Sequence, residues 1–236
     1  MVMQSCVCIA SDVKDSRKKN KTELLESLMS CIKSLNDTYK EDLLVDFDIR
    51  NGDELIGVVK SFKKSYEIAV TMKSILQKSN ITLYIGLGLG ELETSNPTIH
   101  TMNGSAILNA FDARDRFLKE KHPDSKHWIL DEKESSLFFY GKGYPYQALN
   151  ALHFAIQEKK EKRSDKQNEV ISLVKKKPDA TYEQIGKELG YKSAKSTVSY
   201  LLSRAQFHIV NEMEKGLTDL LRNLQTERRK GGQNDA

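Results

Sequence analysis

The amino-acid sequence predicts an α+β protein in which a mixed N-terminal domain precedes an all-helical C-terminal domain. Strand and helix periodicities alternate between residues 5 and 118, whereas only helical patterns follow residue 164. The pair Asn51-Gly52 separates two adjacent strand patterns and is a strong hairpin signal. A chain of 236 residues with 39% hydrophobic content is long enough for one large domain or two small ones.

Four strands are predicted in the first 91 residues. Ser5–Ser11 is a short apolar run typical of a buried strand, and Leu43–Arg50 alternates apolar and polar residues before the Asn-Gly pair. Leu55–Val59 resumes as the second half of the hairpin. Ile81–Glu91 is a further strand, with glycines at positions that exclude side chains.

Apolar residues at helical spacing predict one helix from Thr22 to Leu35 and a second over Ile68–Leu76. The resulting order β-α-β-β-α-β is that of ferredoxin-like folds, in which helices cover one face of an antiparallel sheet. A third helix follows Gly104, His127–Leu130 is expected to be an edge strand, and Tyr146–Ile156 is expected to be helical.

Arg114 lies in phase with the apolar side of the third helix. A guanidinium in that place can extend to the surface, form a structural ion pair, or contact a carboxylate or phosphate of a ligand. The sequence leaves these roles open.

The composition excludes several classes of protein and site. No apolar run approaches the roughly 18–20 residues of a membrane helix and no signal-peptide pattern is present, so we expect a cytoplasmic protein without a membrane partner. Cys6, Cys8 and Cys31 are odd in number and are expected to be buried thiols in a reducing compartment. The five histidines show no zinc spacing, and the common motifs of hydrolases and P-loop enzymes are absent.

Charge is distributed unevenly along the chain. Residues 157–236 contain 17 Lys and Arg against 12 Asp and Glu, a net charge of +5, whereas residues 1–156 contain 20 against 21, a net charge of −1. The polar run Glu158–Lys166 has no apolar periodicity and predicts a linker near residue 160. We therefore expect domains over residues 1–160 and 161–230, and a disordered tail over 231–236.

The second domain contains two capping boxes, Ser164-x-x-Gln167 and Thr181-x-x-Gln184, each at the start of a helical pattern. Gly186 permits close approach of a neighbouring helix, Gly190 ends the second helix, and a short turn leads into a third. The pattern predicts a helix-turn-helix and resembles that of many bacterial regulators. Its DNA-contacting residues are expected to be Lys192, Lys195, Ser196, Thr197, Ser199 and Tyr200. A helical bundle with a polar exposed face is the alternative.

A heptad pattern follows the predicted helix-turn-helix. Its apolar positions are Val210, Met213, Leu217, Leu220 and Leu224. Two heptads predict either a homodimer through this helix or packing of the helix against its own chain.

Three segments, SDVKDSR after the first strand, RNGDEL in the hairpin and YIGLGLGEL in the fourth strand, resemble the palm domain of class III nucleotidyl cyclases and diguanylate cyclases. The resemblance implies a nucleotidyl-cyclase-like palm in which Asp12 and Asp53 hold Mg²⁺, with Asp15 and Glu54 as alternates. It also implies that Arg114 contacts a nucleotide phosphate.

Two features depart from these enzymes. Asn51 stands in place of the first glycine of the diguanylate cyclase signature. Class III cyclases carry Asn and Arg four residues apart on the third helix, whereas Asn109 and Arg114 are five apart and would stand about 140° apart around an α-helix.

Together with the C-terminal helices, the segments CIASDVKDSR, NGDEL and GLGLGEL resemble the SatD family of bacterial proteins. The leading hypothesis is a dimeric DNA-binding transcription regulator whose cyclase-like domain senses a nucleotide or acts as a scaffold. The alternative is a Mg²⁺-dependent nucleotidyl cyclase or oligonucleotide synthetase with Asp12 and Asp53 as metal ligands. A protein-interaction adaptor is a third hypothesis, supported by the heptad pattern alone.

Overall fold

The structure is a computed structural model that describes residues 3–93, 98, 101–128 and 133–234, with side chains as far as Arg228. The chain forms two compact units. We call Met1–Ala151 with Thr218–Ala236 the sheet unit, and Leu152–Leu217 the helical unit. Within the described residues, no helix is both long and apolar enough to cross a membrane.

The described part of the chain contains five strands and eight α-helices. The strands are β1 (Met3–Val13), β2 (Leu43–Arg50), β3 (Glu54–Val59), β4 (Leu83–Glu93) and β5 (Ser136–Tyr140). The α-helices are α1 (Lys21–Tyr39), α2 (Phe62–Gln77), α3 (Ser105–Phe111), α4 (Tyr146–Glu161), α5 (Asp165–Lys176), α6 (Tyr182–Glu188), α7 (Ala194–Arg204) and α8 (Phe207–Asn234). A π-helix, Asp112–Lys119, continues α3. The prediction of an α+β protein is confirmed, and the first six elements follow the order β-α-β-β-α-β.

The strands form one sheet in the order β2-β3-β1-β4-β5. The pairs β2-β3, β3-β1 and β1-β4 are antiparallel, as expected. The strand β5, which the sequence did not predict, pairs in parallel with β4. The edge strand was expected at His127–Leu130 instead. Lys126–Trp128 forms a 3₁₀ turn closed by a hydrogen bond from the N–H of Trp128 to the carbonyl of Ser125, and residues 129 and 130 lie outside the described residues.

Helices cover both faces of the sheet, whereas the sequence predicted cover on one face. Cys6, Cys8 and Ala10 of β1 pack against α3, and the alternating residues Val7 and Ile9 on the opposite face are equally buried. The helices α1 and α2 contact the sheet as well. A strand buried on both faces reads as a continuous apolar run, which is the pattern of β1. The three cysteines are free and buried, as predicted.

Glycines in β4 allow α3 to lie directly on the sheet. A Cβ atom at Gly88 would collide with the carbonyl oxygen of Ala106 and the backbone nitrogen of Ala110. Gly86 and Gly90, on the same face of β4, meet the backbone of the same helix and its π-helical continuation. This close contact places Asn109 and Arg114 over the sheet.

The helical unit is built as the sequence predicts at its helix ends. The capping boxes of Ser164 and Thr181 are both formed, and Gly190 adopts a positive φ of 73° after α6. A Cβ atom at Gly186 would lie 2.5 Å from the carbonyl oxygen of Ala194, so α6 and the start of α7 are in close contact. The buried apolar core of the unit consists of Val170, Ile171, Ile185, Val198, Leu202, Ala205 and Phe207.

The helix α8 is attached to the sheet unit by a buried glutamine. The N–H of Phe62 donates to Oε1 of Gln225 at 3.0 Å, and Nε2 of Gln225 donates to the carbonyls of Lys60 and Ser5 at 2.7 and 3.2 Å. The heptad residue Leu217 and the neighbouring Leu221 are fully buried within the chain. Residues 231–234, the start of the expected tail, continue α8, and residues 235 and 236 lie outside the described residues.

Candidate functional site

The carboxylates of the predicted palm lie at one end of the strands, where β1 ends and β3 begins. Asp12, near the end of β1, is paired in register with Glu54 at the start of β3. The N–H of Val13 donates to the carbonyl of Asp53 at 3.2 Å, which holds the hairpin turn beside the end of β1. The structure therefore brings Asp12, Asp53 and Glu54 to one place, which we call the hairpin edge.

Asp15, the alternate to Asp12, is not part of the hairpin edge. Its side chain is 70% exposed and forms an ion pair with Lys18 at 3.0 Å. Of these two candidate metal ligands, Asp12 lies near the end of β1 and beside the hairpin, whereas Asp15 lies after β1.

Arg114 reaches the hairpin edge from the π-helix. Its side chain is only 6% exposed, and its Nε and Nη2 donate to the two carboxylate oxygens of Asp115 at 2.8 and 2.7 Å. Its Nη1 lies 3.4 Å from Oε2 of Glu54 but makes no hydrogen bond, although it is buried. The guanidinium also lies over the ring of Phe111, 4.9 Å from its centroid. Because the side chain is buried, Arg114 does not extend to the surface. The structural ion pair is present, and a ligand contact through Nη1 remains open.

Lys119 is a member of this cluster that the sequence reasoning missed. Its Nζ lies 2.7 Å from Oδ2 of Asp12 and 3.1 Å from Oδ1 of Asp115. The spacing of Asp115 and Lys119, four residues apart on a helix, was a local signal for the second contact. No local signal joins Lys119 to Asp12, because these residues are distant in sequence.

The protonation equilibria of the cluster reflect burial and these ion pairs. Burial is the largest influence on Asp12 and raises its pKa above the usual value, while Lys119 acts in the opposite direction. Burial would also raise the pKa of Asp115, but hydrogen bonds and charges from Arg114 and Lys119 outweigh it and lower that pKa. Hydrogen bonds to Asp12 and Asp115 raise the pKa of Lys119 against the effect of its burial.

The π-helix changes the relation expected between Asn109 and Arg114. The angle of 140° assumed an unbroken α-helix, but from Asp112 onward the helix has π geometry, as in the bond from the N–H of Glu120 to the carbonyl of Asp115. Both side chains are buried, and Nδ2 of Asn109 donates to the carbonyl of Leu89 at 2.7 Å. Single π-helical turns inside α-helices are frequent at functional sites.

At the hairpin edge, Asp12 and Asp53 are the side chains that would hold Mg²⁺. No group of three or more His, Cys, Asp or Glu side chains suited to a metal ion occurs among the described residues. In nucleotide sites, however, Mg²⁺ is usually held by one or two carboxylates, and water and phosphate oxygens complete its coordination. Asp12 and Asp53 fit that donor set. Because Lys119 contacts Asp12, a metal ion bound there would have to replace the ammonium group.

The helical unit carries the second set of predicted site residues, on α7 and the turn before it. Lys192, Lys195, Ser196, Ser199 and Tyr200 are exposed, and Tyr200 is 63% exposed despite its large ring. Thr197 is half-buried. Neither lysine forms an ion pair with another side chain in the described part of the chain. The structure places these residues along one end of α7.

The start of α7 is held by α6. The carboxylate of Glu183 accepts a hydrogen bond from the N–H of Lys195 at 3.2 Å, and Lys187 forms an ion pair with the same carboxylate at 3.1 Å. The hydroxyl of Ser196 donates to the carbonyl of Ser193 at 3.1 Å. The Glu183 contact satisfies one backbone amide at the helix start, and the two lysine side chains remain exposed.

Comparison with known proteins identifies the family. The model of the SatD family matches residues 6–175, well over half of the chain. The chain belongs to the SatD family. In this SatD-family protein the match spans β1 to α5, so α6 and α7 lie beyond it. No curated protein matches the chain. Among solved structures, the crystal structure of the guanylyl cyclase Cya2 is similar at 14% sequence identity and a TM-score of 0.34, covering 46% of this chain and 68% of the other.

Proposed function

We propose that this SatD-family protein is a DNA-binding regulator that contacts DNA through α7 and the turn before it. The observation that carries the proposal is the exposed end of α7, where Lys192 and Lys195 lie beside hydroxyl-bearing side chains. Lysine ammonium groups bind DNA phosphates, and Ser, Thr and Tyr hydroxyls contact phosphates or base edges. The close crossing of α6 and α7 at Gly186 supports a helix-turn-helix, whose second helix enters the major groove.

The test is the salt dependence of DNA binding by full-length protein, measured by fluorescence anisotropy with several duplexes. Lys195→Ala should weaken binding on every sequence and lower the salt slope by about one, because one phosphate contact is lost. The matched control is Lys166→Ala, which removes an exposed lysine from α5. Absence of binding at low salt, or equal effects of the two substitutions, would contradict the proposal.

The sheet unit, in this proposal, senses a nucleotide at the hairpin edge. Support comes from the buried Nη1 of Arg114, which has no hydrogen-bond partner, and from the two carboxylates Asp12 and Asp53 at the hairpin edge. A nucleotide that binds the folded state at 100 times its Kd stabilises it by about 2.7 kcal/mol, which a thermal-shift screen detects. The shift should require Mg²⁺ or Mn²⁺ and should be lost in Asp12→Ala/Asp53→Ala. No shift with any nucleoside triphosphate would make the sheet unit a scaffold.

A homodimer is also part of the proposal, because many regulators with a helix-turn-helix bind two half-sites through twofold symmetry. Sedimentation equilibrium of the full chain measures the mass directly. A monomer at all concentrations would contradict this part without affecting DNA binding by α7.

The second candidate function is a Mg²⁺-dependent nucleotidyl cyclase or oligonucleotide synthetase. It is favoured by the meeting of Asp12 and Asp53 at the hairpin edge, with Arg114 nearby. A bound Mg²⁺ would supply charge stabilisation to phosphate oxygens. Incubation of nucleoside triphosphates with Mg²⁺ or Mn²⁺ should then release pyrophosphate, and Asp53→Asn should abolish the release. Pyrophosphate at the level of a protein-free blank would exclude this function.

A further inference from the structure

A cavity of the sheet unit, of about 280 Å³, lies beside the end of β4. Its walls are formed by Leu89, Leu108 and Tyr144, and Lys142 and Arg228 also line it. Leu108 is 66% exposed, so part of its apolar side chain is in contact with water. The cavity therefore combines apolar walls with two basic side chains, a composition typical of sites for small organic ligands.

Arg228 is held in place by Tyr144. Its guanidinium lies over the buried tyrosine ring, 5.0 Å from the centroid, and hydrogen-bonds the tyrosine hydroxyl. Stacking uses the face of the guanidinium and leaves the remaining N–H donors in its plane available for a carboxylate or phosphate. Within the described residues, neither Arg228 nor Lys142 forms an ion pair with a carboxylate.

Two glycines make room for this arrangement. A Cβ atom at Gly141 would lie 2.7 Å from the ring of Tyr144, and one at Gly143 would lie 3.0 Å from Nη2 of Arg228. Gly143 also has a positive φ of 82°, which side chains other than glycine rarely adopt. The loop before α4 is thus shaped so that the tyrosine ring and the guanidinium can stack.

The cavity is separate from the hairpin edge. Gly90, which lines it, pairs with Cys6 at the far end of β1, six residues from Asp12. At about 3.3 Å per residue, this separates the two places by about 20 Å along the strand.

We propose that this cavity binds a small organic anion, with its phosphate or carboxylate group on Arg228 and Lys142 and its apolar part against Leu108 and Tyr144. Glu91 is the acidic side chain of the lining, so the two basic groups leave a net charge of +1. That balance suits one anionic group rather than a triphosphate. An aromatic or aliphatic part on the ligand would cover the exposed leucine and remove apolar surface from water.

The test uses three probes that share a phenyl ring and differ in the polar group attached to it. They are phenyl phosphate, benzoate and the neutral benzyl alcohol. Each is titrated into full-length ¹⁵N-labelled protein, and amide shifts of residues 105–109 and 141–144 are followed by NMR. At least one anionic probe should bind saturably at these residues, and benzyl alcohol should bind at least about tenfold more weakly, since it lacks the charge-assisted hydrogen bonds. The two anions separate phosphate from carboxylate as the preferred group.

Arg228→Gln should weaken binding of the anion about tenfold or more, and Arg222→Gln is the matched control. Arg222 lies on the same helix but is exposed and paired with Asp219. If Arg228→Gln impairs folding, as judged by circular dichroism, the exposed Lys142→Gln provides the same test. Failure of every probe to bind, equal binding of the neutral probe, or unchanged binding by the folded variants would overturn the proposal.

Discussion

At the hairpin edge, Lys119 supplies a positive charge to the carboxylate of Asp12. The ammonium of Lys119 lies 2.7 Å from Asp12 and 3.1 Å from Asp115, and Arg114 donates hydrogen bonds to both carboxylate oxygens of Asp115. Partly buried carboxylates need such partners, because burial without one is costly. A nucleotide with Mg²⁺ that binds Asp12 would therefore have to rearrange these ion pairs.

Removal of Lys119 should change the ionisation of both carboxylates. In Lys119→Met, the pKa of Asp12 should rise further and that of Asp115 should rise toward its usual value, because Lys119 lowers both. Carboxyl ¹³C NMR titration measures both. The matched control is Lys18→Met, whose ammonium pairs with the exposed Asp15 instead. Unchanged values in Lys119→Met would show that the ion pair is absent in solution.

The two carboxylates should also affect stability with opposite signs. The folded-state pKa of Asp12 is raised above 3.8, so its contribution favours folding at low pH and is lost as pH rises through the folded pKa. The folded-state pKa of Asp115 is lowered, so its contribution is present above 3.8 and is lost as pH falls through the folded pKa. Unfolding free energies of Asp12→Asn and Asp115→Asn, measured against pH, should diverge from wild type in these opposite directions. Parallel curves would contradict the assignment.

At the scale of elements, the seating of α3 on β4 depends on the absence of side chains from one strand face. Gly88→Ala should destabilise the protein by about 3 kcal/mol, because its Cβ would overlap the helix backbone. Gly216→Ala is the control: nothing lies within 4 Å of its Cβ, and alanine in a helix interior should stabilise by up to about 1 kcal/mol. Thermal and urea unfolding measure both, and a Gly88→Ala variant as stable as Gly216→Ala would refute the close contact.

The C-terminal part of α8, which belongs to the sheet unit, forms buried hydrogen bonds with that unit through Gln225. Gln225→Ala should destabilise by on the order of 2 kcal/mol, because the buried N–H of Phe62 and the carbonyls of Lys60 and Ser5 lose their partner. Asn223→Ala, on the exposed side of the same helix, should change stability little. Equal stability of the two variants would show that α8 does not dock through Gln225.

At the scale of the whole molecule, features encoded by neighbouring residues were predicted and those encoded by distant ones were not. The capping boxes, the Asn-Gly hairpin and the element order β-α-β-β-α-β follow from local spacing, and the structure has them. The contacts of Lys119 with Asp12 and of Gln225 with β1 join residues more than 100 positions apart and leave no local pattern.

Two local features were also missed. The run SLFFY of β5 had the aromatic content of a strand, but its parallel pairing with β4 depends on the whole sheet. The π-helix at Asp112 has no spacing rule that distinguishes it from an α-helix in sequence. The structure brings Asp12, Asp53 and Arg114 together at the hairpin edge, but the contacts of Asp12 and Arg114 with Lys119 and Asp115, respectively, depend on the fold.

The proposed contact of α7 with DNA is tested most directly by mapping a DNA duplex onto the full chain by NMR. We expect amide shifts at low salt to concentrate at residues 192–200, with none at the hairpin edge. These shifts should diminish as salt is raised, because phosphate contacts release counterions. Lys195→Ala should reduce the shifts, whereas Lys166→Ala should not. Shifts located elsewhere, or no shifts at saturating DNA, would contradict the claim.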